Sequence, residues 1–121
     1  MRAAFDTNIL IDFLKGIPAA RKELDLYEEH LISIITLIEV LVVVTDPSEE
    51  KEIRRFLSSF RILELSQSIA NNAVKLRQEL RLKVPDAIVY ATARDAGCIL
   101  VTRNTKDMKA EWPDIRVPYS L

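Results

Sequence analysis

Four carboxylates stand at positions where an acid exposed to water is not the obvious choice. Asp6 follows a short apolar run, Glu39 interrupts an apolar helical segment, and Asp86 lies in the first turn of a helical pattern. Asp107 ends the polar segment 102–107. Because an ionised carboxylate is costly to bury alone, acids that converge need a cation between them. The pattern predicts a site for Mg²⁺ or Mn²⁺, the hard divalent cations that prefer oxygen ligands.

Each of these acids, taken alone, also has a structural explanation. Asp86 is favourable at a helix N-terminus, Asp6 could cap the first helix, and Asp107 could be a solvated loop acid. Glu39 is the hardest to explain in this way, although it could pair with a distant base such as Arg94. The metal interpretation depends on the joint pattern across four separate segments.

The elements that would position these acids alternate along the chain. Apolar runs at residues 3–5, 31–34, 62–65, 98–101 and 115–117 predict strands. Helical patterns begin near residues 7, 18, 36, 47, 67 and 85, and the third of them continues to residue 44. Thr7 or Asn8 is the expected cap of the first helix. This alternation predicts a three-layer α/β/α fold with a central parallel sheet of about five strands.

Functional sites in such folds lie beyond the carboxyl ends of the strands. Residues 6–8 follow the first predicted strand, and residues 102–107 follow the fourth. Both segments are polar, and we expect the chemistry there. No internal repeat and no linker rich in Pro, Gly or Ser divides the chain, so we expect one domain over residues 1–121.

Composition excludes several classes of protein. The chain has 121 residues and a formal net charge of −1, which excludes a polybasic mode of nucleic-acid binding. Two glycines cannot form a P-loop or a GxGxxG dinucleotide loop. One histidine excludes mechanisms that need two, and one cysteine excludes an intrachain disulfide and a cysteine-based zinc cluster.

The most apolar stretch, residues 31–44, is too short to cross a bilayer and carries an acid near its middle, whereas a spanning helix needs about 20 residues. The N-terminus has no basic and then apolar signal region. We therefore expect a soluble cytoplasmic protein with no membrane partner.

Basic residues are concentrated in the second half of the chain. Residues 61–121 carry 10 bases and 7 acids, a net charge of +3. Arg81 and Lys83 precede Asp86 closely, and Arg103 and Lys106 lie in the polar segment that ends at Asp107. These four bases are candidates for contacts with substrate phosphates, although such residues are more often a solvated surface.

Four segments, in this order along the chain, resemble the motifs of PIN-domain proteins, especially the VapC toxins of bacterial and archaeal toxin–antitoxin pairs. They are FDTNILID at residues 5–12, TLIEV at 36–40, VPDAIVYATA at 84–93 and LVTRNTKDM at 100–108. The resemblance spans nearly the whole chain. It implies a sheet in the order 3-2-1-4-5 with helices on both faces, and a metal-dependent endoribonuclease activity.

The same resemblance implies roles for the four acids. Asp6 and Asp86 would be the principal metal ligands, and Glu39 would complete the catalytic cluster. Some members have an acid where this chain has Asn104, so that either Asn104 or Asp107 supplies the fourth position. The ion, Mg²⁺ or Mn²⁺, would activate a water for hydrolysis of an RNA phosphodiester.

The resemblance also implies supporting residues and partners. Thr7 and Asn8 would orient the first carboxylate or a water on the metal, and Thr102 and Asn104 would support the site from the other segment. The implied partners are an RNA substrate, a small DNA-binding antitoxin of the VapB type and a second copy of the chain.

Two other functions stay open at this point. A phosphatase of the haloacid-dehalogenase type also begins with an aspartate after the first strand, but it needs a second acid two residues later, where this chain has Asn8. The chain could also be a PIN-like binding or scaffold module without catalysis, and in that case it would neither bind Mn²⁺ nor cut RNA.

Overall fold

The computed structural model describes all residues, 1–121. The five strands are β1 (Arg2–Phe5), β2 (Glu29–Ser33), β3 (Arg61–Leu63), β4 (Ile99–Val101) and β5 (Ile115–Arg116). The six helices are α1 (Thr7–Leu14), α2 (Pro18–Asp25), α3 (Ile34–Leu41), α4 (Pro47–Leu57), α5 (Gln67–Leu80) and α6 (Val84–Asp95). No helix combines the length and the apolar character that a membrane span requires.

All neighbouring strands of the single sheet are parallel, in the order β3-β2-β1-β4-β5. The central strand β1 places Ala4 opposite Leu31 of β2 and opposite Leu100 of β4. The α/β fold class, the parallel sheet and its strand order are confirmed. Because β1 lies between β2 and β4, its carboxyl end is the middle of the sheet edge where a site is expected.

The core has two halves, one on each face of the sheet. Ala3 and Phe5 of β1 belong to a buried cluster with residues of α1, α2, α3 and α4, whereas Ala4 belongs to a cluster with residues of α5 and α6. Successive side chains of a strand point to opposite faces. This alternation explains why the short β1 is apolar at every buried position and why helices cover both faces.

One helix cap and one helix start differ from those expected. Asp6 caps α1, because its carboxylate accepts the N–H of Thr7, so neither Thr7 nor Asn8 is the cap. The helix α3 spans Ile34–Leu41 and not 36–44, because the Ser33 side chain accepts the N–H of Ile35 and starts the helix two residues early. The apolar run from residue 31 contains no residue that marks this boundary except Ser33.

Candidate active site

Asp6 is the centre of the candidate site. It follows β1, and its side chain is 5% exposed. Its Oδ1 accepts the N–H of Thr7 at 2.8 Å, and its Oδ2 accepts the Thr102 hydroxyl at 2.8 Å and the Asn8 amide at 3.4 Å. Burial raises the pKa of Asp6 and these hydrogen bonds oppose the rise, while the charge of Glu39 adds to it. The carboxylate is therefore held in one orientation by neutral donors.

Glu39 reaches the same site from α3. Its Oε1 accepts the Thr7 hydroxyl at 2.6 Å, so that Thr7 contacts Asp6 through its backbone and Glu39 through its side chain. The alternative partner considered for Glu39, Arg94, instead forms an ion pair with Asp114 at 2.8 Å. The structure thus explains Glu39 as a neighbour of Asp6 rather than as half of an ion pair.

Asp86 enters from the first turn of α6. Burial, followed by the charges of Asp6, Asp107 and Glu39, raises the pKa of Asp86 to about 6, and only Lys83 acts in the opposite direction. Asp6, Glu39 and Asp86 line one cleft, and Asp107 lies within electrostatic reach of Asp86. The fold therefore brings three of the acids that the sequence singled out to one cleft, and the fourth, Asp107, lies near Asp86.

The segment after β4 is held by its own side chains. Thr102, which is fully buried, donates its hydroxyl to Asp6 and accepts the N–H of Asn104 at 3.0 Å and the Asn8 amide at 3.3 Å. The Asn104 amide donates to Asp107 Oδ2 at 3.2 Å, and the N–H of Asp107 donates back to Asn104 Oδ1 at 3.3 Å. Asn104 and Asp107 thus form one unit at the fourth position.

An open cleft of about 370 Å³ lies at this edge of the sheet, and Asp107 is not among its lining residues. Asp6, Glu39, Asp86 and Asn104 all line it, together with Lys15. None of the four acids takes part in an ion pair. No three His, Cys, Asp or Glu side chains are close enough together to form a ready-made ligand group for an ion.

This donor set nevertheless fits a hard divalent cation. Mg²⁺ is usually bound by one or two carboxylates and keeps several of its waters, so it does not need three direct protein ligands. The mutual repulsion of neighbouring carboxylates is relieved by a cation between them. All ligands on offer are oxygens, and the cleft has room for waters and for a phosphate group.

The four candidate phosphate contacts differ in their surroundings. Arg81, Lys83 and Lys106 are exposed and make no ion pair. Arg103 is half-buried, and its guanidinium pairs with Asp12 at 2.7 Å. Arg103 therefore has much of its charge compensated within the protein, whereas the other three bases do not.

Three residues that line the cleft, Ile11, Asp12 and Lys15, were not predicted as site residues from the sequence, and Asp12 is the only acid among them. Asp12 of α1 is 2% exposed and lines the cleft beside Arg103. The signal was present, because Asp12 lies four residues after Asn8 and so on the same face of the helix, between the apolar Ile11 and Phe13.

A family model of the PIN domain matches residues 3–110. The chain is 45% identical to a chain of a solved toxin–antitoxin complex from Klebsiella pneumoniae, with 98% of this chain and 99% of that chain covered and a TM-score of 0.93. A comparison with curated proteins gives no match.

Two more distant solved structures show the same fold. VapBC2 from Rickettsia felis, bound to a DNA fragment from its promoter, is 22% identical with a TM-score of 0.80, covering 100% of this chain and 99% of that one. FitAcB from Neisseria gonorrhoeae is 20% identical with a TM-score of 0.80, covering 96% and 97%. The resemblance seen in the four motifs is confirmed, and this chain belongs to the PIN-domain family.

Proposed function

We propose that this protein is a divalent-metal-dependent endoribonuclease and the toxin of a toxin–antitoxin pair. The observation that carries the proposal is that Asp6, Glu39 and Asp86 line one cleft at the carboxyl edge of a parallel sheet without a basic partner, with Asp107 near Asp86. PIN domains are generally metal-dependent nucleases, and the 45% identical chain comes from a toxin–antitoxin complex. A cytoplasmic location agrees with a substrate of this class.

In this proposal Asp6 and Asp86 are the principal ligands of Mg²⁺ or Mn²⁺, with Glu39 and the Asn104–Asp107 unit completing the site. When bound, such an ion supplies a water of lowered pKa and neutralises charge on the scissile phosphodiester. The donor chemistry supports this assignment, because every candidate ligand is an oxygen and no competing cation is paired with the acids.

The neutral residues around the acids hold the charge in place without cancelling it. Thr7 orients both Asp6 and Glu39, and Thr102 and Asn8 orient the other oxygen of Asp6. Carboxylates fixed in this way do not have to reorganise when a cation or a phosphate arrives.

The substrate in this proposal is RNA, held by its phosphates. The exposed Arg81, Lys83 and Lys106, and the free part of the Arg103 guanidinium, are the candidate contacts. The single histidine, His30, packs between Phe5 and Phe60 and contacts the Leu24 carbonyl through Nε2 at 2.7 Å. It is therefore not an acid or base of the cleft, which favours hydrolysis over a route through the 2′-hydroxyl that relies on paired histidines.

The proposal includes two protein partners. One is a small DNA-binding antitoxin, since the 45% identical relative was solved as a toxin–antitoxin complex. The other is a second copy of the chain, for which the exposed apolar residues Ile38, Val42 and Val43 offer a surface.

The phosphatase alternative has no support at the position that it requires. Asn8 stands where the second acid would be, and its side chain is fully used. It donates to Asp6 and Thr102 and accepts the N–H of Arg103 at 2.9 Å. Asn8 therefore connects the segment after β1 to the segment after β4 through hydrogen bonds.

The decisive experiment replaces the two principal acids. We expect Asp6→Asn and Asp86→Asn each to abolish Mg²⁺- or Mn²⁺-dependent cleavage of RNA in a purified assay with an unspecific RNA pool. Asparagine caps a helix as well as aspartate does, so Asp6→Asn keeps the start of α1. Asp25→Asn, at the exposed end of α2, is the matched control and should cleave like wild type.

Cleavage by either variant at the wild-type rate would contradict the assignment of the site. A wild-type protein that neither binds Mn²⁺ nor cuts RNA, while still binding an antitoxin, would instead identify a scaffold module.

A further inference from the structure

A potential competitor for the proposed metal lies beside the acidic cluster. Arg103 lies two residues after the end of β4 and lines the same cleft as Asp6, Glu39 and Asp86. Its guanidinium contacts none of them. It binds Asp12 instead, through Nε to Oδ2 at 2.7 Å and through Nη2 to Oδ1 at 3.0 Å.

Asp12 is well suited to keep that guanidinium. Its carboxylate is 3% exposed and also accepts the Tyr119 hydroxyl at 2.8 Å. Burial opposes the ionisation of Asp12, but the hydrogen bonds from Arg103 and Tyr119 and the charge of Arg103 outweigh it and lower its pKa. A planar guanidinium held by two hydrogen bonds has one defined position, which a lysine would not have.

The backbone around Arg103 is fixed independently of this ion pair. The N–H of Arg103 donates to Asn8 Oδ1 at 2.9 Å, and Thr102 is bound to Asp6. Release of the guanidinium therefore does not require the segment to move. A released guanidinium would be attracted to the unpaired carboxylates that share its cleft, because opposite charges gain most where water is partly excluded.

We propose that Asp12 is a positioning residue that holds the Arg103 guanidinium out of the acidic cluster and so keeps the carboxylates available for a divalent cation. The inference rests on the proposed function, since it takes the cluster to be a cation site. The inference assigns a role to Asp12 and Arg103, which do not themselves bind the ion.

The test is a calorimetric titration of the full-length protein with Mn²⁺, without RNA. We expect Asp12→Asn, which keeps the shape and removes the charge, to weaken Mn²⁺ binding roughly tenfold, within the usual range of coupling between two sites. The double variant Asp12→Asn with Arg103→Gln should bind Mn²⁺ as wild type does, because the competing cation is gone.

Two further variants separate positioning from general damage. Tyr119→Phe removes one hydrogen bond from Asp12 but leaves its ion pair, so the melting temperature should fall while the Mn²⁺ affinity stays the same. Arg103→Gln alone should keep the wild-type Mn²⁺ affinity. This measurement can be made even if the Asp12→Asn variant does not fold.

Three results would overturn the inference alone, with Mn²⁺ bound normally by wild type. They are an Asp12→Asn protein with wild-type affinity, a double variant as weak as Asp12→Asn, and a loss of affinity in Arg103→Gln. A wild-type protein that binds no Mn²⁺ would overturn the proposed function itself, and the inference with it.

Discussion

At the scale of single residues, the site holds negative charge with neutral donors. Thr7, Asn8 and Thr102 donate hydrogen bonds to Asp6, yet no cation neutralises it. The electrostatic cost of gathering these acids is seen at Asp86, because burial and three neighbouring carboxylates raise its pKa to about 6. A protein without metal therefore folds against repulsion within its own site.

Removing one of these charges should make the metal-free protein more stable. Glu39→Gln keeps the side-chain volume and an oxygen that accepts the Thr7 hydroxyl, but it removes one repelling charge. We expect its melting temperature without metal to rise by a few degrees, since about 1 kcal/mol corresponds to roughly 3–6 °C in a domain of this size. The gain in melting temperature on adding Mg²⁺ should shrink in the same variant.

Glu64→Gln is the control for this prediction, because Glu64 is an exposed glutamate after β3 that forms no ion pair. It should change neither the melting temperature nor the Mg²⁺ response. A Glu39→Gln protein that melts lower without metal and responds to Mg²⁺ like wild type would mean that Glu39 is a structural partner and not part of the acidic cluster.

At the scale of elements, ion pairs with a buried carboxylate connect segments that are far apart in the chain. Glu23 of α2 is 4% exposed. Its carboxylate accepts a hydrogen bond from Nη2 of Arg116, in β5, at 2.9 Å and another from the Tyr27 hydroxyl at 2.9 Å. Burial opposes the ionisation of Glu23, but these partners outweigh it and lower its pKa below the ordinary value of 4.5. The pair holds the edge strand β5, which is only two residues long.

This pair predicts a pH dependence of stability. A carboxyl group whose pKa is lowered by folding contributes stability above its unfolded pKa, here about 4.5, and loses it as the pH falls through the lower folded pKa. At pH 7, Glu23→Gln should lower the free energy of unfolding by about 2 kcal/mol, because it weakens charge-assisted hydrogen bonds. The difference between wild type and variant should narrow below pH 4.5 in urea denaturation experiments.

Glu52→Gln, an exposed site on α4, serves as the control and should give parallel curves at every pH. A Glu23→Gln difference that stays constant down to about pH 3 would show that folding does not lower the pKa of Glu23.

At the scale of the whole molecule, several exposed apolar residues lie together on and just after α3. Ile38, Val42 and Val43 are 53%, 72% and 69% exposed, on and just after α3, whose opposite side contributes Val40 to the core. An apolar helix that is covered on one side only favours association. The same helix carries Glu39, so this surface lies next to the candidate active site.

We expect light scattering to find a dimer, twice the chain mass of 13.8 kDa, at micromolar concentration. Val42→Glu should shift the protein toward the monomer, because it places a charge in the apolar surface. Leu26→Glu, an equally drastic change at another exposed apolar residue, should leave the dimer intact. A wild-type protein that stays at 13.8 kDa at high concentration would contradict the dimer.

Much of the fold follows from patterns that are local in the chain. Alternating apolar runs and helical periods mark most of the elements, since burial selects residues with the period of each structure. The same locality explains the errors. The boundary of α3 at Ile34 depends on a single hydrogen bond of Ser33, and the cap of α1 depends on which of three adjacent polar residues turns toward the backbone.

The sequence by itself determined the parallel α/β architecture, the family resemblance and the four candidate acids. Asp6 could be found because parallel strands place the residues that follow them at one edge of the sheet. Only the tertiary structure decided the partners of these residues. Asp12 and Arg103 are separated by 91 positions, and Thr7 and Glu39 by 32. No spacing pattern in the sequence predicts such pairs, because their contact depends on how the helices pack on the sheet.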